Sequence, residues 1–399
     1  MLYTTLTAIG TPANRLWNEN YYNNEGDDQH MPQGKTKKIF HYPCSVWNPY
    51  NKIIKDGIEM QGLDVVLIEG KKAAASKGEE QPGLGERLKQ LATQAGVVHF
   101  HWIGSMTVGK GPGETVFKTF FFIVLLLAFR LRGIKLVITL HNLLPHDKGH
   151  ERVQKLSRRI VLKFFNAVVL HSSSALKQAD KMFGIGEKSV VIPHPNYRGY
   201  YPDHVTREEA RKYFELDLEQ NVILFFGILR PYKQIDTLLS MLMSPTYDKN
   251  FVLIIGGMNK MGNDLFKDMP DRNIIVHDRF IPDEEVQYYF RCADCLVLPT
   301  SSPSALTSGA AALSVTFQTP IIARDYTPFQ EFFEKGLGVP SDFGSSSNLN
   351  AAVQKILSWN RAEFEERCLK YNLEANMERV GEMHAQLYRQ VAGKTLDHL

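Results

Sequence analysis

Two basic side chains follow a strand-like run in the second half of the chain. Residues 222–226 are apolar, Gly227 ends the run, and Arg230 and Lys233 stand three residues apart where a helical pattern begins near Gln234. Cations beside a helix N-terminus, just past the carboxyl end of a strand, favour a bound phosphate group. The segment therefore predicts a site for a phosphorylated ligand. The alternative is a strand–loop–helix junction with two solvated cations.

A second anion-binding pattern lies at residues 299–313, PTSSPSALTSGAAAL. A strand ends at Pro299, a Ser/Thr-rich loop follows, and a helix begins near Ser308 and Gly309. Free backbone N–H groups there, with the hydroxyls of Thr307 and Ser308, could hold a diphosphate. Taken alone, the pattern is equally typical of an ordinary cap on an Ala-rich helix.

Strand-like and helical patterns alternate along most of the chain. The candidate strands before residue 195 are 38–44, 64–70, 97–102, 135–141, 167–172 and 189–194. The later candidate strands are 222–227, 251–257, 273–278, 295–300 and 319–324. This alternation predicts an α/β fold of two Rossmann-like domains that face each other across a cleft.

Composition shifts set the predicted domain boundaries. Residues 35–194 form the first domain, 195–375 the second, and 376–399 a C-terminal helix. The polar segment 1–34 is predicted to be a disordered leader, and translation could begin at Met31 instead of the first residue.

The charge of the chain is unevenly distributed. Residues 31–190 contain 24 Lys and Arg against 12 Asp and Glu, whereas residues 191–399 contain 21 against 27. A basic first domain favours an anionic partner such as membrane headgroups or an anionic acceptor. Because no basic motif is interleaved with aromatic residues, nucleic acid is not expected as a partner.

Four cysteines in 399 residues indicate a reducing compartment, so we expect a cytoplasmic protein. Cys292 and Cys295 form a C-x-x-C pair, but a zinc site would need a second ligand pair of suitable spacing. Two small core residues are the favoured interpretation, and a redox pair is the alternative.

Two segments of the first domain could meet a membrane. The longest apolar run, Phe120–Phe129, is shorter than a membrane span, and we expect a fully buried helix. An interfacial helix that dips into a bilayer is the alternative. Residues 150–165 form a basic amphipathic helix, either with a solvated face or docked on an anionic leaflet. Docking would place the protein peripherally on the inner face of the cytoplasmic membrane.

The segment 227–239, GILRPYKQIDTLL, resembles the donor-phosphate segment of glycosyltransferases with the GT-B fold. It is most similar to family four and to related exopolysaccharide-type enzymes, and the similarity continues in register over most of the chain. The resemblance implies two facing Rossmann-like domains, with Arg230 and Lys233 neutralising the diphosphate of a sugar nucleotide. It also implies that the last helix crosses back to the first domain.

The same resemblance implies roles for other residues. On the donor side, the phosphate would be bound by Gly227, Thr307, Ser308 and Gly309. The nucleobase pocket would be lined by Arg279 and Phe280, and Glu331 matches a family Pro-Glu position. A position of Phe280 in the hydrophobic core is equally supported. In the segment 139–147, TLHNLLPHD, the candidate catalytic groups are His141, His146 and Asp147, and the acceptor contacts are Asn142 and Asn48. Such a group could deprotonate an acceptor hydroxyl or orient the sugar, while capping roles in a loop are the alternative.

The chain departs from family four at three positions. That family has two glutamates eight residues apart, and here Ala305 and Leu313 occupy those positions, while Gln318 replaces a glycine. Contacts to ribose or sugar must therefore come from elsewhere, which leaves the donor and the stereochemical outcome open.

The expected function is transfer of a hexose from a nucleotide-diphosphate sugar to a hydroxyl of a glycan or polyprenyl-diphosphate-linked glycan, in surface polysaccharide assembly. No cofactor or metal is expected, because cations stabilise the leaving diphosphate. The alternatives are a nucleotide-sugar epimerase of the same fold and a non-catalytic glycan- or membrane-binding descendant.

Overall fold

A computed structural model describes residues 37–44, 48–69, 84–145, 149–248, 250–262, 265–267 and 273–393. The predicted leader lies outside the described residues, as do the candidate catalytic residues His146 and Asp147.

The first half of the described chain forms a parallel six-stranded sheet of order β2-β1-β3-β4-β5-β6. Its strands are β1 Lys38–Cys44, β2 Val65–Glu69, β3 Ala95–Phe100, β4 Lys135–Thr139, β5 Ala167–Leu170 and β6 Ser189–Val191. The helices along this half are α1 Tyr50–Glu59, α2 Leu84–Gln94, α3 Gly104–Thr107, α4 Pro112–Leu131, α5 Glu151–Leu162 and α6 Ser173–Phe183, with a 3₁₀ turn at Gly186–Lys188. We call this sheet and its helices the first lobe.

The second half repeats the architecture in a parallel sheet of order β12-β11-β10-β7-β8-β9. Its strands are β7 Asn221–Phe226, β8 Phe251–Gly256, β9 Ile274–His277, β10 Cys295–Leu298, β11 Ile321–Ala323 and β12 Gly338–Pro340. The helices are α7 Arg207–Tyr213, α8 Ile235–Leu242, α9 Val286–Cys292, α10 Gly309–Thr316, α11 Thr327–Glu334, α12 Ser346–Leu357 and α13 Arg361–Glu374, with a 3₁₀ turn at Pro231–Lys233. We call this unit the second lobe. The predicted fold of two Rossmann-like sheets is confirmed.

Each sheet is buried on both faces, as the continuous apolar runs of its strands require. In the first lobe, Phe40 and Ile138 face the cluster that contains Phe122 and Leu126 of α4. The opposite face packs on α1 and on the last helix of the described chain, α14, Met377–Ala392.

The helix α14 lies against α1 of the first lobe. The two backbones touch at a pair of glycines, since a methyl group at Gly57 would lie 2.2 Å from the Met377 carbonyl oxygen and one at Gly381 would lie 2.1 Å from the Gly57 carbonyl carbon. The Tyr388 hydroxyl then hydrogen-bonds the rings of His41 (2.9 Å) and His99 (2.6 Å) beneath the first sheet. The described chain therefore returns from the second lobe to the first.

The expectation of a fully buried helix at Phe120–Phe129 is wrong. In α4 one face is buried, including Phe122, Leu126 and Phe129, while Phe120 is 60% exposed and Phe121 is 54% exposed. A 20-residue helix on one side of a single lobe has only one face to bury, and this one is apolar on both faces. None of the helices in the described residues is long and apolar enough to cross a membrane.

The basic helix α5 also differs from its simplest interpretation. Leu156 and Ile160 of the predicted apolar stripe are exposed, and the buried face instead carries Gln154, Ser157 and Arg158 together with Val161 and Leu162. The helix α5 packs against α4, so both of these neighbouring helices carry exposed apolar side chains.

Cys292 and Cys295 are buried and free, at the end of α9 and the start of β10. Burial raises the pKa of the Cys295 thiol well above its usual value, as expected for small core residues. The favoured interpretation of this C-x-x-C pair is therefore confirmed.

Candidate functional site

A cavity of about 330 Å³ lies between the two lobes, at the carboxyl ends of their strands. The first lobe contributes Asn48, Tyr50, Trp102, His141, Asn142 and His194. The second lobe contributes Phe225, Tyr232, Lys233, Leu298, Pro299, Thr300, Ala305, Thr307, Ser308, Gly309, Ala310, Pro328 and Phe329. Thus the predicted residues Asn48, His141, Asn142, Lys233, Thr307, Ser308 and Gly309 come together here.

Backbone hydrogen bonds join the lobes at one side of this cavity. The Leu143 N–H donates to the Ser304 carbonyl oxygen (2.7 Å), and the Leu306 N–H donates to the His141 carbonyl oxygen (3.0 Å). Between them, Asn142 and Ala305 form an antiparallel bridge. The polar loop of the first lobe is therefore held directly against the Ser/Thr-rich loop of the second.

Lys233 is the cation that reaches the cavity. Gly227, after β7, has a φ of +105°, which favours glycine, and a Cβ there would lie 3.0 Å from the Lys233 Nζ. Among the described residues, this Nζ makes no ion pair or hydrogen bond; the Phe225 ring centroid lies 5.8 Å away. Burial, and secondarily Arg230, lowers the pKa of Lys233 to about 8. Lys233 is therefore mostly charged at pH 7, and an anion beside it would favour the charged form further.

Arg230 is exposed and does not line the cavity. It lies close enough to Lys233 to lower the pKa of that residue. Of the predicted pair, one cation therefore faces the cavity and the other lies outside its lining.

The helix α10 begins at the cavity, a few residues after the loop that is bonded to the first lobe. The Ser308 hydroxyl caps it by accepting from the Ala311 N–H (3.3 Å), which leaves the first N–H groups of the helix without a partner within the helix. A side chain at Gly309 would lie 2.9 Å from the Tyr197 hydroxyl. This helix start and Lys233 together form an anion-binding wall.

His141 is the polar side chain of the first lobe best placed for chemistry. Its ring stacks on Trp102 with centroids 4.6 Å apart, and its buried Nε2 has no hydrogen-bond partner within the part of the chain that the structure describes. Burial, then the neighbouring rings of His171 and His194, holds the pKa of His141 well below its usual value. The imidazole is therefore neutral near pH 7 and can accept a hydrogen bond.

Two residues support this histidine and its loop. The Tyr50 hydroxyl hydrogen-bonds the His171 Nε2 (3.1 Å), and the Tyr50 ring packs edge-on to His141 with centroids 5.0 Å apart. Arg158 of α5 donates to the Asn142 carbonyl oxygen (3.1 Å) from a buried position. Burial lowers the pKa of Arg158 to about 10, so it remains charged.

The described residues that line the cavity include no carboxylate. Ala305, at the first of the missing family glutamates, lines the cavity, while Leu313, at the second, is buried in the core of the second lobe. Gln318 keeps the backbone of the glycine that it replaces, with a φ of +57°.

Three predicted site residues lie away from the cavity. Arg279 is ion-paired with Glu285, and Phe280 is 51% exposed, which excludes it from the core. Glu331 on α11 is ion-paired with Lys335 (3.5 Å), and burial raises the pKa of its carboxyl group. None of the three lines the cavity between the lobes.

Three buried histidines beneath the cavity, His41, His99 and His101, have ring nitrogens within 4.8 Å of one another. These are the described residues that could hold a metal ion. Their nitrogens are engaged with each other and with neighbouring hydroxyls: His101 Nε2 with His41 Nδ1 (3.1 Å), and His99 Nε2 with Thr139 Oγ1 (2.8 Å). The cluster therefore already has hydrogen-bond partners for most of its nitrogens.

The sequence reasoning missed several residues of the cavity. Tyr50, His194 and Phe329 lie far apart in the chain, and nothing local to each marks it as a site residue. Trp102, which stacks on His141, was likewise not predicted as a site residue.

Residues 206–375, which comprise most of the second lobe, match the model of the family described as glycosyl transferases group 1. The second lobe therefore resembles a glycosyl transferases group 1 domain. Over 176 residues, the chain is 24% identical to GDP-mannose:glycolipid 4-beta-D-mannosyltransferase of Xanthomonas campestris pv. campestris. This match covers 44% of the chain and 46% of the relative, so the chain spans about half the length of the curated relatives it matches.

Solved structures of similar fold extend over both the group 1 domain and the first lobe. Sucrose-phosphate synthase of Thermosynechococcus elongatus has a TM-score of 0.64 at 16% identity, with 89% of this chain and 99% of that chain covered. Anabaena HepE, solved with UDP and glucose, has a TM-score of 0.65 at 13% identity, with 89% and 100% covered. These likenesses establish the predicted GT-B fold.

Proposed function

We propose that the protein is a glycosyltransferase that moves a hexose from a nucleotide-diphosphate sugar to a hydroxyl of a glycan or lipid-linked glycan. One observation carries the proposal. Within the described residues, the half-buried Lys233 ammonium has no ion-pair or hydrogen-bond partner, and it lines the cavity between the lobes together with the start of α10 and the neutral His141.

On the donor side, the diphosphate lies between Lys233 and the N–H groups at Gly309. When the bond from the anomeric carbon to the diphosphate oxygen breaks, negative charge grows on the leaving group. Lys233 and the helix start stabilise that charge in a partly buried site, which is the role a cation or metal ion plays in such reactions. No cofactor is required by this scheme.

On the acceptor side, a hydroxyl oxygen forms the new bond to the anomeric carbon. Its proton passes to the His141 Nε2, the buried nitrogen without a partner. Asn48 and Asn142 line the same wall and offer hydrogen bonds to the acceptor. The bridge between Asn142 and Ala305 closes this side of the cavity, which excludes water from the donor.

The acceptor is lipid-linked in this proposal, and the protein works peripherally on the inner face of the cytoplasmic membrane. The exposed apolar face of α4 and the exposed cations of α5, including Arg152, Lys155 and Arg159, support docking on an anionic leaflet. The related glycolipid mannosyltransferase has a lipid acceptor by its name.

The rival functions fit the cavity less well. An epimerase would be expected to place several acidic residues in its site, and the described lining residues contain none. A non-catalytic descendant would not need the buried, unpaired Nε2 of His141.

The direct test is release of nucleoside diphosphate from UDP- and GDP-sugars, with and without a membrane extract as the source of acceptor. We expect acceptor-dependent release with one donor class, and its loss in Lys233→Ala. Lys370→Ala, at an exposed lysine on the second lobe far from the cavity lining, is the matched control. Absence of release with every donor and extract would contradict the proposal.

A further inference from the structure

A second cavity, of about 360 Å³, lies beneath α4 within the first lobe. The described residues around it are aliphatic or aromatic, including Phe100, Met106 and Leu125, apart from Ser105, Lys118 and the hydroxyl of Tyr42. Water in a buried cavity needs two to four polar partners, and this lining offers few. The composition therefore favours an apolar occupant.

The cavity opens on the exposed apolar face of α4. Phe117 and Phe121 line the cavity and are also 62% and 54% exposed, and their rings pack together with centroids 4.6 Å apart. Lys118, which lies between these two residues in sequence, is half-buried and also lines the cavity. Its Nζ forms an ion pair with the Glu114 carboxylate (2.9 Å). An occupant could thus enter from an apolar surface past a charged rim.

The same cavity lies close to the cleft between the lobes. Trp102 lines the cleft, and Ser105 and Met106, at most four residues later, line the apolar cavity. The intervening segment is a single helical turn, in which the Met106 N–H donates to the Ile103 carbonyl oxygen (3.0 Å). One turn spans about 5.4 Å, so one elongated molecule could reach both cavities.

The position of the cavity favours a narrow occupant. The cavity lies beneath α4, so an occupant must enter the lobe between side chains instead of lying on the surface of the helix. A single hydrocarbon chain can do this.

We propose that this cavity binds the hydrocarbon chain of the lipid-linked acceptor, with the anionic and glycan end of the same molecule directed to the cleft. The proposal rests on the proposed function for the identity of the cleft, and it names the substrate class: a prenyl or alkyl chain that carries a phosphate group. Phe121 and Leu125 are its specificity-determining contacts.

The test measures direct binding of farnesyl phosphate to the full chain, without membranes and below the micelle concentration, by isothermal titration calorimetry. Each buried methylene contributes about fourfold in affinity, so isopentenyl phosphate should bind at least a hundredfold more weakly. Phe121→Asp should weaken farnesyl phosphate at least tenfold. Phe120→Asp, at the adjacent and equally exposed phenylalanine outside the lining, should change the affinity by less than twofold.

A second variant guards against misfolding of the first. Leu125→Trp fills the cavity with an apolar ring and should give the same loss of farnesyl phosphate affinity. In each variant, the thermal shift caused by UDP or GDP should be unchanged, because Lys233 and the start of α10 are untouched.

Three results would overturn the inference. The first is equal binding of the long and short prenyl phosphates, and the second is equal losses in Phe121→Asp and Phe120→Asp. The third is displacement of farnesyl phosphate by dihexanoyl phosphatidylglycerol at equal affinity, which would assign the cavity to a bilayer lipid.

If nucleotides stabilise the protein while prenyl phosphates do not bind, this inference fails and the proposed function stands. If prenyl phosphates bind and no nucleotide does, the proposed function fails and the acceptor assignment fails with it.

Discussion

Lys233 is the residue on which the donor side of the proposal depends. Gly227, after β7, lies beside its ammonium group, and burial lowers the pKa of this group to about 8. A bound diphosphate favours the charged form and so raises this pKa in the complex.

The affinity for a nucleoside diphosphate should therefore fall as the pH rises through 8. Below pH 8 the free protein already carries the charge, whereas above it binding must take up a proton. We expect about tenfold weaker binding at pH 9 than at pH 7, measured by calorimetry with UDP and GDP. Lys233→Arg, whose guanidinium does not titrate in this range, should abolish the dependence. A wild-type affinity that is flat from pH 7 to 9 would count against this role.

His141 provides a second prediction at this scale. Because its neutral Nε2 is assigned to accept the acceptor proton, His141→Asn should lower kcat by at least a hundredfold and leave nucleotide binding unchanged. Steady-state transfer kinetics and thermal shifts measure the two effects separately. An increase in acceptor KM with unchanged kcat would show instead that His141 only positions the acceptor.

The local sequence identified the anion-binding wall formed by Lys233 and the start of α10, but it identified only part of the first-lobe side of the cavity. Lys233 and the segment Thr307–Gly309 were predictable because a strand end, a loop and a helix start are contiguous in sequence. Tyr50 and His194 were not, because they reach the cavity only when strands distant in sequence become neighbours in the sheet. The proposed nucleobase contacts at Arg279 and Phe280 relied on resemblance alone, and the structure places them outside the cavity.

At the scale of elements, the strands were predictable because buried parallel strands are nearly continuous apolar runs. The exception is β12, Gly338–Pro340, which is three residues long and lacks such a run. Helix faces were harder: the sequence of α4 is apolar on all sides, so it does not show which side stays exposed. The contact between α1 and α14 depends on two glycines more than three hundred residues apart, which no local pattern marks.

The glycine contact predicts the sensitivity of the last helix to a single methyl group. Gly381→Ala should lower the free energy of unfolding by about 1–3 kcal/mol, because the added carbon overlaps the Gly57 backbone. Chemical denaturation measures the change. The control is Gln386→Ala, on the exposed face of the same helix. Gly393→Ala is less suitable, because the positive φ of Gly393 would strain any side chain. Equal stability of Gly381→Ala and Gln386→Ala would contradict the contact.

At the scale of the whole molecule, the apolar face of α4 and the cations of α5 lie on the first lobe. The anion-binding wall lies on the second lobe. In the proposed function, this division lets one lobe hold a membrane-bound acceptor while the other binds a soluble donor. The net charges of the two halves of the sequence already indicated the division.

Membrane docking predicts salt-sensitive binding to vesicles that contain phosphatidylglycerol. Lys155→Glu combined with Arg159→Glu should reduce co-sedimentation at least tenfold at low salt, since each cation near the surface contributes about 1 kcal/mol. The matched control reverses two exposed lysines of the second lobe, Lys355 and Lys370. Equal losses in the two double variants would indicate general charge attraction without a docking face.

The most direct test of the central claim is the thermal stability of the purified protein with UDP, GDP and their sugars. We predict that one nucleotide class raises the melting temperature, and that Arg230→Ala combined with Lys233→Ala abolishes the shift while Lys370→Ala preserves it. No shift with any nucleotide, or an unchanged shift in the double variant, would contradict a diphosphate site at Lys233 and the start of α10.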